Sequence, residues 1–477
     1  MNKGDSSAPN VRCRYVAKEL ALTKSDDFFA AMPPLEALRT LISHAATGRR
    51  CGSGGRKLLV IDARKAHLHA TPDREVFVEI PPELRRKGFC GRLRRCLYGT
   101  RDAPKRWEAY LSGELRKMGF LQGVASACCF QHKSRDVRCV VHGDDFVFVG
   151  CDADLAWIEQ EMAKSFLTKV VGKLGGDAGD LKEIRVLNRV LRWTPEGITY
   201  EADPRHAEIL ARDWAPGGPA VKTAGVKPSA SDAPAEEEPL SAHEVTHFRS
   251  GAARANYLAM DRADLSFATK ELCRRMSGPK RSDFAALLRV IRFLIAEPRL
   301  VYNYKWQDDG ILRVYCDTDF AGCLDTRKST SGGCAMMGTH LVKHWSSTQK
   351  VVTLSSGEAE LAGIVKGSSE ALGLRSLCSD LGITTDLHVY ADSSAAIGIC
   401  RRSGIGRVRH LATGQLWVQE RIRCKDFTLH KVLGTENPAD AFTKFVPRDL
   451  LDQHMATMGL TRETGRAATA PQIAVGS

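Results

Sequence analysis

The chain has 477 residues, enough at ~150 residues per domain for two to four domains with sizeable cores, and 43% apolar with 26% charged residues is globular rather than disordered composition. No run approaches the ~18–20 apolar residues of a membrane span, and MNKGDSSAPN lacks the apolar stretch of a secretory signal, so membrane and secreted classes are set aside. A net charge of +13 favours an anionic partner, nucleic acid first, and 15 scattered cysteines without a C-x-x-C pair exclude a zinc knuckle and fit a reducing intracellular setting, cytoplasmic or nuclear.

In chain order, a first globular unit is expected over 11–214. There KLLVID (Lys57–Asp62) reads as a buried strand ending in an acid, and RRCLYGTRDAPKRWEAYLSGELRKMGF as a turn and a helix with Tyr110, Leu111 and Leu115 on one face. RCVVHGDDFVFVG (Arg138–Gly150) reads as two strands joined by a tight Gly-Asp turn, and DLAWIEQEMAKSFL as a further helix. Residues 215–241, proline-rich with an acidic run, read as an extended linker. A helical piece follows over 242–305, where ARANYLAM and SDFAALLRVIRFLIAE space apolar residues three and four apart.

The last unit is expected over 312–455. LRVYCDTDFAG, SGGCAMMG and HLVKHWS read as strands, SSGEAELAGIVKGSSEALGLRSLCSDLG as a long helix capped by Ser355 or Ser356, and DLHVYADS as a strand. SSAAIGICRRSG and HLATGQLWVQERIRC read as helices, DFTLHKVLG as a strand and NPADAFTKF as a helix start. Strands followed by strand–helix alternation predict a mixed sheet with helices on it, so the fold class is α+β and α/β. The tail, 456–477, is expected to fray.

Two sets of acids carry candidate chemistry. Asp144 and Asp145 are neighbours at a turn, and Asp62 ends a separate strand. Adjacent carboxylates repel unless a cation neutralises them, and oxygen ligands suit Mg²⁺. A solvated Asp-Asp turn has the same spacing. In the last unit Asp317, Glu360, Asp392 and Asp440 come from four elements that can meet at one sheet edge. Glu358 competes with Glu360, about 200° away around the helix, and Glu360 lies on the more apolar side. Asp319 and Asp325 compete with Asp317, which directly follows VYC. Each acid taken singly also reads as a surface or capping residue.

Together these segments resemble the pol polyprotein of copia-type retrotransposons, from the reverse transcriptase palm through ribonuclease H. KLLVIDARKAHLHATPDREVFVEIPPEL, LRRCLYGTRDAPKRWEAYL and VVHGDDFVFVG resemble its polymerase motifs. DRADLSFATKELCRRMSGP resembles its connection, and DTDFAGCLDTRKSTSGG, LSSGEAELAG, ADSSAAIGI and NPADAFTK resemble its ribonuclease H motifs in order. The resemblance implies a palm-like domain, a helical connection and a ribonuclease H-like mixed sheet. It implies polymerase carboxylates at Asp62, Asp144 and Asp145 and a ribonuclease H tetrad at Asp317, Glu360, Asp392 and Asp440. Each set would hold Mg²⁺, with Mn²⁺ as the substitute, and the implied partners are an RNA template, a DNA primer, an RNA–DNA hybrid and deoxynucleoside triphosphates. Arg94, Arg95, Lys105 and Arg106 are candidate phosphate contacts.

The sequence departs from the family at His67, where an aromatic residue is usual, and at His142-Gly143 in place of Tyr-Val; Thr435-Glu436 replaces a histidine ahead of Asp440. RCRYVAKE (Arg12–Glu19) resembles the end of a fingers strand, with the rest of the fingers ahead of it missing, so weak or no polymerase activity is expected. Trp107 and Tyr98 read as packing residues, and His410 as either a capping or a substrate-contacting residue.

Overall fold

A computed structural model describes residues 15–20, 28, 30–48, 55–215, 217–227, 239–406, 410 and 413–473. It opens with α1 (Leu35–Ala45), whose Leu38, Leu41, Ile42 and Ala45 form a buried stripe after Pro34. β1 (Lys57–Ala63) follows, then the two-residue strands β2 (Phe77–Val78) and β3 (Gly91–Arg92). Next come α2 (Ala103–Lys117), β4 (Phe120–Gln122), β5 (Cys129–His132), β6 (Arg138–His142), β7 (Asp145–Gly150), α3 (Asp152–Ser165) and β8 (Thr168–Leu174). The sheet order is β4-β5-β6-β7-β1-β8, antiparallel throughout. β1 lies inside the sheet, between β7 and β8, and its alternate side chains enter two cores. Leu59 and Ile61 meet Trp107, Leu111 and Leu115 of α2 and Leu155 and Ile158 of α3, while Leu58 and Val60 join the core that contains α1.

A second sheet takes β9 (Glu183–Val186), β10 (Arg189–Thr194) and β11 (Gly197–Glu201). The helices α4 (Arg205–Trp214), α5 (Ala242–Ala259), α6 (Ser266–Arg274) and α7 (Arg281–Ala296) come next, and their Leu210, Phe248, Leu258, Leu287 and Ile291 share one core. Ser241 begins α5 with a capping box, its main-chain N–H donating to Glu244 at 2.8 Å. β12 (Arg299–Lys305) returns to pair with β11.

The third sheet holds β13 (Leu312–Asp319), β14 (Thr330–Met337) and β15 (His340–Thr348) as an antiparallel meander. α8 (Ser356–Asp380) crosses to β16 (Leu387–Ala391), parallel to β13; α9 (Ser394–Arg401) and α10 (Trp417–Arg423) lead to β17 (Thr428–Lys431), parallel to β16. The order is β15-β14-β13-β16-β17, with Leu361 and Ile364 of α8 in one core with Val314 and Cys316 of β13. α11 (Arg448–Thr457) and β18 (Leu460–Glu463) close the chain, and β18 pairs with β12 to give the second sheet the order β18-β12-β11-β10-β9.

That sheet departs from the expected boundaries. Its strands come from stretches assigned to 11–214, 242–305 and 456–477, because β11 leaves an open edge that β12 fills and β12 leaves one that β18 fills. The expected frayed tail is therefore tied down over its described residues, up to 473, with Leu460, Ala467 and Ala470 buried. NPADAFTKF forms a 3₁₀ turn, Pro438–Phe442, rather than an α-helix. Of the expected linker, residues 216 and 228–238 lie outside the described residues, as do Val11–Arg14 of the first unit. No described helix is long and apolar enough to cross a membrane.

Candidate active sites

In the first sheet, Asp62 on β1 stands opposite Asp145 on β7, so their side chains share a face. His142 pairs with Asp145 to close the β6–β7 hairpin, leaving Gly143 and Asp144 as its two-residue loop. Gly143 has φ +67° and Asp144 does not share the positive value, the pattern of a type II′ turn, whose twist suits a hairpin. The turn is tied on two sides: Ala63 N–H donates to the Asp144 carbonyl at 2.8 Å, and Trp107 Nε1–H to the Gly143 carbonyl at 2.8 Å. Asp144 is exposed, while Asp62 and Asp145 are half-buried. Burial first, then the charges of Asp144 and Asp62, push the Asp145 carboxyl up to about 6.

His67 lies on the 3₁₀ turn after β1, its ring 4.6 Å from that of Tyr98. Trp107 is buried as expected of a packing residue, but its N–H reaches the hairpin, a role that side-chain spacing does not disclose. Among the candidate phosphate contacts, Arg94 and Lys105 are exposed, Arg106 pairs with Asp73, and Arg95 donates to the His69 carbonyl at 2.8 Å.

The second cluster is tighter. Among the described residues, carboxylate oxygens of Asp317, Glu360 and Asp392 all lie within 4.8 Å of one another. Asp317 sits near the end of β13, Glu360 in the second turn of α8 and Asp392 just past β16. Ser355 is the residue that caps α8, its hydroxyl accepting from the Glu358 N–H at 3.3 Å. Glu358 turns back to that cap, accepting from Leu354 N–H at 3.0 Å and meeting His410 Nε2 at 3.0 Å, which leaves Glu360 for the cluster. Asp325 is likewise occupied, in ion pairs with Arg274, the last residue of α6, and with Arg275 just after it.

Asp440 comes to Asp317 on the Pro438–Phe442 turn. Asn437 pins that turn by donating to the Cys316 carbonyl at 2.9 Å, and Thr443 Oγ1 donates to Asp317. Gly332, opposite Asp317 on β14, permits this approach: a Cβ there would stand 2.6 Å from Thr443 and 2.8 Å from Phe442. Lys444 Nζ, which the sequence reading does not single out, bonds Asp440 at 2.9 Å and faces Asp317 and Asp319. Its only sequence signal is its place four residues after Asp440.

The electrostatics are those of crowded anions. Burial, then Asp317, Asp392 and Asp440, raise the Glu360 carboxyl from 4.5 to about 9. Burial and Asp440 raise Asp317 to about 6, and burial with Asp317 raises Asp392. Glu360 Oε2 is buried without a hydrogen-bond partner. An orphaned carboxylate oxygen beside two more is a donor set that a hard divalent cation fits.

Residues 3–178 match the model of the family described as reverse transcriptase (RNA-dependent DNA polymerase), and the fold class is α+β, an antiparallel sheet under helices followed by a mixed sheet crossed by a long helix. The chain is 25% identical over 473 residues to a retrovirus-related Pol polyprotein from transposon TNT 1-94 of Nicotiana tabacum, covering 96% of this chain and 35% of that one. It is 27% identical over 412 residues to the Pol polyprotein from transposon RE1 of Arabidopsis thaliana, covering 84% and 27%. A solved foamy viral protease-reverse transcriptase in complex with RNA/DNA hybrid is similar over 91% of this chain and 48% of that one, at 13% identity and TM-score 0.46. The chain is similar along most of its length to copia-type retrovirus-related Pol polyproteins, and it spans about a third of the length of the curated relatives it matches.

Proposed function

We propose that the chain cleaves the RNA strand of an RNA–DNA hybrid at the Asp317–Glu360–Asp392–Asp440 cluster. The observation that carries this reading is the convergence of three carboxylates within 4.8 Å, with Asp440 beside them. Bound divalent cations would activate an attacking water and stabilise the leaving oxygen. Asp317 near the end of β13 and Asp392 just past its parallel neighbour β16 would fix the spacing of those cations, and Glu360 would complete the shell from the helix side. Lys444 and the Thr443 hydroxyl hold Asp440 and Asp317 in place before a cation arrives. Phosphodiester hydrolysis asks little more than positioning and charge neutralisation. The test is incubation with labelled hybrid and Mg²⁺: cleavage well above that of Asp392→Asn is expected, and equal rates would end the reading.

Asp62, Asp144 and Asp145 support a second, weaker reading, nucleotide addition to a DNA primer on an RNA template. The Asp62–Asp145 register favours it, but among the described residues these three oxygens do not form a group as close as the nuclease one. We infer slow or absent extension by this chain, and Asp144-dependent primer extension at a substantial rate would overturn that inference.

A further inference from the structure

We propose that Trp107 is a positioning residue for Asp144: its indole N–H, bonded to the Gly143 carbonyl, clamps the turn that presents Asp144 beside the strand carrying Asp62. The inference rests on the reading of Asp62, Asp144 and Asp145 as a cation site.

The ring of Trp107 is 3% exposed and sits among aromatic neighbours, edge-on to Phe166 at 5.7 Å and to Phe146 at 6.5 Å and 5.9 Å from His69. A buried indole N–H needs an acceptor, and this one takes the Gly143 carbonyl at 2.8 Å. Gly143 offers no side chain to hold the turn, and a Cβ built there would meet no atom within 4 Å. The loop is held from outside the hairpin through its own two main-chain carbonyls. Successive carbonyls are taken from opposite sides, Gly143 by Trp107 of α2 and Asp144 by the N–H of Ala63, the residue after Asp62. Removing the α2 side frees a glycine-containing loop in which backbone freedom is large. A shift of ~1 Å in a ligand costs on the order of 100-fold in function.

The experiment uses the full chain and two readouts. Hydrogen–deuterium exchange is followed over residues 138–150, with β5 as internal reference. Mn²⁺ binding is followed by electron paramagnetic resonance in a background of Asp317→Asn and Asp392→Asn, which silences the nuclease cluster. Trp107→Phe is expected to speed exchange at the turn about tenfold, as for one lost hydrogen bond, and to weaken Mn²⁺ binding severalfold. Phe166→Leu trims the same aromatic cluster without touching the N–H and is expected to leave turn exchange as in the parent. Should Trp107→Phe fail to fold, the benzothiophene analogue of tryptophan at position 107 keeps the bicyclic ring, replaces N–H by sulfur, and is expected to speed exchange equally. Parental exchange in the folded Phe or benzothiophene chain, or equal acceleration in Phe166→Leu, overturns the proposal. A parent that binds no more Mn²⁺ than Asp62→Asn overturns the cation reading, while the exchange data still decide the part played by Trp107.

Discussion

Glu360 concentrates the conflict at the Asp317–Glu360–Asp392 cluster. Its carboxyl is pushed up to about 9 by burial and by Asp317, Asp392 and Asp440. The folded chain thus holds this proton more tightly than the unfolded chain. Its contribution to stability is full below the ordinary value of 4.5 and is lost as pH rises toward about 9. In chelator-treated protein, denaturant midpoints are expected to fall between pH 5 and pH 9, and Glu360→Gln to flatten that fall; a parallel decline in the variant would contradict it. Cation binding at neutral pH is expected to release protons from Glu360, seen as a buffer-dependent calorimetric heat that the Gln variant lacks. The identity of Glu360, rather than Glu358, was legible from helical periodicity, because the flanking Leu361 and Ile364 face the sheet. Lys444 was not legible, since its role depends on where a non-local turn delivers Asp440.

Elements were legible in proportion to how local their causes are. The β6–β7 hairpin and α8 follow from a turn dipeptide, a cap and a repeating apolar pattern. The assembly of the second sheet does not, because β11 joins β12 and β12 joins β18 across about a hundred or more residues. The docking of α8 on the first sheet is equally non-local. Its last residue, Asp380, accepts from the N–H groups of Val124 at 2.8 Å and Ser126 at 2.7 Å, and Arg138 donates to the Leu381 carbonyl at 3.0 Å. Asp380→Ala removes an acceptor of two bonds and is expected to cost about 1–2 kcal/mol. A urea midpoint shifted at constant slope would record it, and an unchanged midpoint would show that the contact contributes nothing.

The molecule as a whole is stitched by α1 and by the chain end. Arg39 of α1, buried, pairs with Asp261 at 3.0 Å, and Asp261 also meets Arg189 at 2.9 Å. Ser43 of the same helix meets His340 of β15 at 2.9 Å. These contacts join α1 to the second sheet, through Arg189 of β10, and to the third sheet, through His340 of β15. Removing residues 460–477 strips β12 of a neighbour and takes away the buried Leu460, Ala467 and Ala470, so a loss of more than about 2 kcal/mol is expected. Thermal melts and size-exclusion chromatography would register it as a lower midpoint and association through the bared edge. With a net charge of +13, hybrid affinity is expected to fall steeply with salt even when every acid of the cluster is replaced.

The most direct test is strand-resolved cleavage. A hybrid labelled separately on each strand is incubated with the full chain, with Mg²⁺ present or chelated, alongside Asp317→Asn and Glu360→Gln chains shown to bind the hybrid as the parent does. The geometry of the cluster predicts Mg²⁺-dependent cutting of the RNA strand alone, reduced at least ~100-fold in both variants. Cutting that survives either substitution, or no cutting by a parent that binds hybrid, would contradict it.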